Sequence, residues 1–122
     1  MPAVDVLVID DNRAWASTVA EVLRRRGLST RLATDGHRAL KFLKRCRPKL
    51  LISDVNMPGM DGFEILRRLR HSGDRTPVIV LSAEDPAVVR DKVLKAGASL
   101  FLHKPTTAHT LLQAVNSVFH GR

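Results

Sequence analysis

Five short runs rich in apolar residues, VDVLVI (4–9), STRLA (29–33), LLIS (50–53), PVIVLS (77–82) and SLFLH (99–103), are each followed by a stretch whose apolar residues recur at helical spacing. That alternation constrains the fold more than any other feature. After the first run, Ala16, Val19, Ala20, Val22 and Leu23 repeat with helical period and stop at Gly27. Further helices are predicted over 36–46, from about 61 to 70 with Phe63, Leu66 and Leu69 on one side, and from Asp85-Pro86 to Gly97. The last begins near Thr107 and carries Ala108, Leu111, Leu112, Val115, Val118 and Phe119 as a stripe. Strands joined through helices run parallel, and a parallel sheet is covered on both faces. The first, third and fourth runs are nearly all Val, Ile and Leu, as doubly buried strands require. The fold class is therefore α/β, a doubly wound five-stranded parallel sheet with five helices.

At 122 residues and 44% hydrophobic composition the chain reads as a single domain over 1–122, able to bury roughly two thirds of the surface its unfolded form exposes. No apolar run approaches the ~18 to 20 residues of a membrane span, so no membrane partner is expected. The N-terminal stretch MPAVDVLVIDDN holds three aspartates and no basic leader, and a cytoplasmic location is the expectation. The lone Cys46 excludes an internal disulfide and a cysteine zinc cage, and its step with Ala39, Leu40, Phe42 and Leu43 marks a core thiol. The formal net charge of +8 raises the question of nucleic acid. Yet Arg24, Arg25 and Arg26 stand where a helix ends, which suits the negative end of its dipole, and the other cations are scattered without aromatic interleaving. Nucleic-acid binding by this domain alone is not expected.

In open sheets of this kind, sites form beyond the carboxyl ends of the strands. The first strand ends in Asp10 and Asp11, the third in Asp54, the fourth in Ser82, and the fifth runs through His103 into Lys104-Pro105. Each has a bland explanation alone: Asp10, Asp11 or Asn12 could cap the first helix, Asp54 could open a turn, Ser82 could cap, Lys104 could be solvated. As a set they are harder to dismiss. Where the first and third strands are neighbours, three carboxylates converge, and each like-charge pair at ~4 Å costs on the order of 4 kcal/mol at an effective dielectric near 20. Positive charge must sit among them. Lys104 supplies one unit, and a hard divalent cation that prefers oxygen ligands, with Mg²⁺ the natural candidate, supplies the rest.

The segments VLVIDDN, SDVNMPGMDG, VIVLSA and AGASLFLHKP stand in order and at characteristic spacing, and through them the chain resembles the receiver (REC) domain of bacterial two-component response regulators from Val4 to about Phe119. The resemblance implies the flavodoxin-like, CheY-like strand order 2-1-3-4-5. It implies that Asp54 is the phosphoacceptor and that Asp10, Asp11, Asp54 and the backbone carbonyl of Asn56 hold Mg²⁺. Ser82 and Lys104 are similar to the hydroxyl and ammonium groups that contact the phosphoryl oxygens, and Lys104-Pro105 to a cis bond. Met57-Pro58-Gly59 and Gly62 match the loop after the acceptor, where glycine permits a tight turn. Ser82 and Phe101 match the switch pair, Phe101 standing where many members carry tyrosine. Asn56 and Glu84 occupy positions that tune the lifetime of the phosphate.

The implied function is phosphorelay signal transduction, with weak autophosphorylation and autodephosphorylation rather than enzyme turnover. A sensor histidine kinase or phosphotransfer protein supplies the group, and a downstream protein reads the face of helix 4, strand 5 and helix 5. Two alternatives stand beside it: a phosphorylation-independent docking module, and an aspartyl-phosphate phosphatase of the haloacid-dehalogenase type. The phosphatase needs a second acid two residues after the nucleophile, where this chain has Asn56. Flavin binding lacks a loop rich in Gly, Ser and Thr. The histidines at 37, 71, 103, 109 and 120 show no metal-ligand pairing, and Trp15, four residues after Asp11, reads as packing.

Overall fold

The computed structural model describes residues 3–57 and 59–120. Its elements alternate strictly: β1 (Val6–Ile9), α1 (Arg13–Arg25), β2 (Thr30–Ala33), α2 (Gly36–Arg45), β3 (Leu50–Asp54), α3 (Gly62–His71), β4 (Val78–Ser82), α4 (Pro86–Lys95), β5 (Leu100–His103) and α5 (Ala108–Phe119). The strands pair in parallel in the order β2-β1-β3-β4-β5. β1 therefore lies between β2 and β3, with Val6 opposite Leu50 and Ile9 opposite Ser53. No described helix is long and apolar enough to cross a membrane.

The pleat sends successive side chains to opposite faces, and the core divides accordingly. Leu7, Ile9, Leu51, Val80 and Phe101 pack with Ala39, Leu66, Leu69, Val89 and Val93 on the side of α2, α3 and α4. Val6, Val8, Leu50, Ile52, Ile79 and Leu81 pack with Ala16, Val19, Leu23, Leu111 and Val115 on the side of α1 and α5. Each of β1, β3 and β4 is buried along its whole length. Strands sandwiched in this way are rigid platforms, and their polar last residues inherit that rigidity.

Element edges differ from the sequence reading by small steps with local causes. β1 begins after Asp5 because Asp5 and Ser29 exchange hydrogen bonds that close a loop instead of a ladder, Ser29 N–H donating to Asp5 Oδ2 at 2.9 Å. α3 begins at Gly62, since Asp61 is its cap and accepts from Glu64 N–H at 2.8 Å. Cys46 is buried as expected but sits past the end of α2 in extended backbone, outside the helical stripe in which its spacing had placed it. Arg24 does more than complement a helix dipole, because its guanidinium donates to the carbonyl of Thr30 at 2.6 Å and ties α1 to β2.

Two glycines in the loop after β3 act differently. Gly59 takes φ of +80°, a left-handed turn. Gly62 has no such need; a Cβ there would run into the carbonyl oxygen of Asp54 and meet Ser53 Oγ at 2.7 Å. The start of α3 thus presses on the last residue of β3. Pro58 lies outside the described residues. The substitution Gly62→Ala should lower stability by about 1–3 kcal/mol, as overpacking does, while leaving the protein folded. Urea denaturation checks this, and an unchanged midpoint would mean that α3 slides freely away from β3.

Candidate functional site

Parallel strands put all five carboxyl ends, and the N-termini of the helices that follow them, along one edge. Helix starts there need acceptors for their free N–H groups. In this chain Asn12, Asp35, Asp61, Asp85 and Thr107 provide them, each accepting from a backbone N–H in the first turn of its helix. The consequence is a division of labour among the acids of that edge. Asp35, Asp61 and Asp85 are caps; Asp10, Asp11 and Asp54 are not, since α1 is capped by Asn12 through a 3.0 Å bond from Trp15 N–H.

The three uncapped acids converge. Asp10, Asp11 and Asp54 each present a carboxylate oxygen, all within 4.8 Å of one another. Asp10 follows β1 directly, is only 1% exposed, and accepts from Asn12 N–H at 2.9 Å. Asp54 is the buried last residue of β3. Asp11 is exposed and leaves the cluster open to solvent. Lys104, which follows β5 directly and precedes a cis peptide to Pro105, donates to Asp10 Oδ2 at 2.7 Å and lies 3.7 Å from Asp54 Oδ1. Three carboxylates facing one ammonium leave two negative charges uncompensated.

Burial pushes the Asp54 carboxyl up from its ordinary range; Lys104 and the N–H of Asn56 oppose that push, while Asp10 and Asp11 add to it. Ionised Asp54 is therefore held in an environment that favours added positive charge. The donor set is all oxygen and fits a hard divalent cation: Asp10, Asp11 and Asp54 can ligate it, and its charge would offset the excess.

Ser82, at the end of β4, is fully buried and its Oγ accepts from Glu84 N–H at 3.0 Å. The carbonyl of the same residue accepts from Lys104 N–H at 2.8 Å, which fixes the β5 loop against β4. Asn56 and Glu84 are exposed and line one cleft of about 150 Å³, with Val55, Asp61, Phe63 and Val89 among its other walls. Phe101 is buried in the cluster beneath α4. Two larger hollows, of about 660 and 620 Å³, lie along α3 beside the end of α4 and between the C-terminal turns of α2 and α3, and neither is lined by Asp10, Asp11, Asp54, Ser82 or Lys104.

Every site residue read from the sequence thus falls along one edge of the sheet, with Phe101 within β5, three residues before Lys104. One neighbour escaped that reading. Trp15 is half-buried with Lys104 Nζ 4.4 Å from its ring centroid. Its position, one turn into the helix that starts beside Asp10 and Asp11, was the available signal.

A family model for the response regulator receiver domain matches residues 6–116. Among curated proteins, the response regulator MprA of Mycobacterium leprae is 40% identical over 113 residues, which make up 93% of this chain and 50% of that protein. The chain thus spans about half the length of the curated relatives it matches. The Francisella response regulator 1452 receiver domain superposes with a TM-score of 0.91 at 33% identity, over 95% of this chain and 96% of that one. The chemotaxis protein CheY4 of Vibrio cholerae gives 0.88 at 32% identity, over 96% and 99%.

The raised Asp54 carboxyl has a signed consequence. With its folded pKa above the unfolded one, the folded state binds the proton better, so Asp54 has no effect on stability below its ordinary value of 3.8, costs more as pH rises from there, and costs fully above the folded pKa. In metal-free buffer Asp54→Asn should melt at a higher temperature than the parent at pH 7, and the difference should shrink as pH falls through that window. Thermal melts in EDTA across pH 3.5–7 test it; a lower melting point for Asp54→Asn at pH 7 would contradict the electrostatic account.

Proposed function

This chain belongs to the response regulator receiver family, the signalling domains of two-component systems, and on that premise we propose that it accepts a phosphoryl group on Asp54. The observation that carries the reading is the convergence of Asp10, Asp11 and Asp54 at one sheet edge, with the Lys104 ammonium paired to Asp10 and Asp54.

The donor is a phosphohistidine of a sensor histidine kinase or phosphotransfer protein. An Asp54 carboxylate oxygen attacks phosphorus, the P–O bond forms as the P–N bond breaks, and the electron pair returns to the imidazole nitrogen. Burial in β3 holds the nucleophile still, and its strand neighbours keep it aimed out of the sheet edge. Lys104 is placed to pair with one phosphoryl oxygen. Ser82 accepts from Glu84 and so keeps its own proton to donate to another. Mg²⁺, held by Asp10, Asp11, Asp54 and the backbone carbonyl of Asn56, supplies positive charge to the transferring group when bound. Asn56 and Glu84, on the cleft beside Asp54, govern how water reaches the phosphate and so its lifetime.

A modified Asp54 that draws the Ser82 hydroxyl toward it changes the β4–α4 loop, because Ser82 Oγ would exchange its partner Glu84 N–H. Phe101, under α4, carries that change to the face of α4, β5 and α5, which a downstream protein reads. The response is a shift in population between two arrangements, of which the phosphorylated form binds one better. The chain functions as a single receiver unit over 1–122, in the cytoplasm, and as a signalling domain rather than a turnover enzyme.

Incubation with Mg²⁺ and acetyl phosphate, acid quenching within minutes and intact-mass measurement test this. One added phosphoryl group is expected, absent from Asp54→Asn and from a metal-free sample. Mg²⁺ alone should also raise the melting temperature, by mass action on the folded state, and Asp11→Asn should remove that rise. A folded parent that takes up no phosphoryl group under any of these conditions would leave only a docking module.

A further inference from the structure

The Lys104 ammonium has three donors and more than one anion to serve. One donor goes to Asp10 at 2.7 Å, while Asp54 at 3.7 Å is within ion-pair range but beyond a hydrogen bond. The contact left to describe is with Trp15, whose ring centre is 4.4 Å from the nitrogen. That contact follows from the fold: Asp10 and Asp54 continue the strand parity of Val8 and Ile52, so the cluster opens on the side of α1, and Trp15 stands in the first turn of that helix. Trp15 is anchored at both backbone and side chain. Its backbone N–H is bonded to the capping Asn12, and it packs against the core cluster between α1, α5 and the sheet.

We infer that Trp15 is a positioning residue of the phosphoryl-transfer site, whose indole face holds the Lys104 ammonium beside Asp10 and releases it to a phosphoryl oxygen on Asp54. The inference rests on Asp54 being the acceptor. A lysine side chain has much rotamer freedom to lose, and a fixed wall removes that freedom before the donor arrives. An aromatic face suits the task. It attracts the cation without adding a fourth negative charge to the cluster, and it engages no acceptor lone pair that would compete with the phosphate. A charge-assisted bond to a phosphoryl oxygen is stronger than the ring contact, so the ammonium transfers when the phosphate appears.

The test follows phosphorylation of the full chain by acetyl phosphate with Mg²⁺, by quenched intact mass, in the parent, Trp15→Phe, Trp15→Leu, Lys104→Met and the Trp15→Leu/Lys104→Met pair. Trp15→Leu should slow the reaction about three- to tenfold, the span open to a half-buried cation–π contact, and Trp15→Phe should fall between. In the Lys104→Met background Trp15→Leu should have no further effect, which a merely structural role would not produce. Equal fractional losses in both backgrounds, or a parental rate in Trp15→Leu, overturn the inference. If Trp15→Leu fails to fold, Trp15→Phe made in both backgrounds decides by the same comparison.

Fluorescence gives the second readout, since Trp15 is the sole tryptophan. Its emission should change on Lys104→Met in the unmodified protein, and on phosphorylation of the parent. An unchanged spectrum on Lys104→Met overturns the contact even where the rate of that variant is too slow to follow. Emission that responds to Lys104→Met in a parent that takes up no phosphate would overturn the role of Asp54 instead, and with it any positioning role for the ring.

Discussion

The ammonium of Lys104 among the carboxylates of Asp10 and Asp54 is the interaction on which the rest of this molecule depends. A doubly wound parallel sheet gathers every strand end and helix start along one edge, so the polar residues that finish the strands cannot avoid one another. Asp10 and Asp54 are both buried, which strengthens their repulsion by removing water. A cation carried in from β5, four strand positions away from β2 in the sheet order, is what makes β1 and β3 compatible neighbours at that end. The fold and the site are thus one electrostatic problem with one shared solution.

The capping pattern shows how the sequence keeps structural and chemical acids apart. Helix N-termini attract negative charge, and three of the five are served by aspartates. At α1, where two aspartates precede the helix, the neutral Asn12 takes the cap, and Asp10 and Asp11 are left for the cluster. An aspartate at the cap would have added a further charge to the most crowded point of the edge. Gly62 serves the same point by a different means: with no Cβ, α3 can start in contact with the backbone of Asp54 and back the strand end from behind.

Most of this was legible in the sequence. Apolar runs of strand length and period-3.6 patterns located all ten elements, because β1, β3 and β4 are buried on both faces and the helices on one. Asp10, Asp11, Asp54, Ser82 and Lys104 could be read because the topology makes a strand end a place in space. Less legible were contacts between elements that periodicity does not order. Cys46 kept the helical step but left the helix, as its extended backbone shows. Trp15 looked like ordinary packing because its partner lies 89 positions on, beyond the end of β5. The division of the acids between caps and cluster also needed coordinates, since Asp10, Asp11 and Asn12 are all competent caps.

The net charge of +8 finds its account in the same geometry. Arg24 and Arg25, Lys44 and Arg45, Arg68 and Arg70, and Lys92 and Lys95 occupy the last turns of α1, α2, α3 and α4. Those turns lie at the opposite end of the sheet from the carboxylates, because each helix runs back against its strands. A strand of four or five residues is roughly 13–17 Å long, which exceeds the ~8 Å Debye length at physiological ionic strength. The distal cations are therefore screened from the cluster, and a basic protein overall still presents an acidic edge. On the proposed function, an anionic phosphodonor would meet that edge and not the average charge, so the positive charge that receives it would have to be local, with Lys104 the cation placed there.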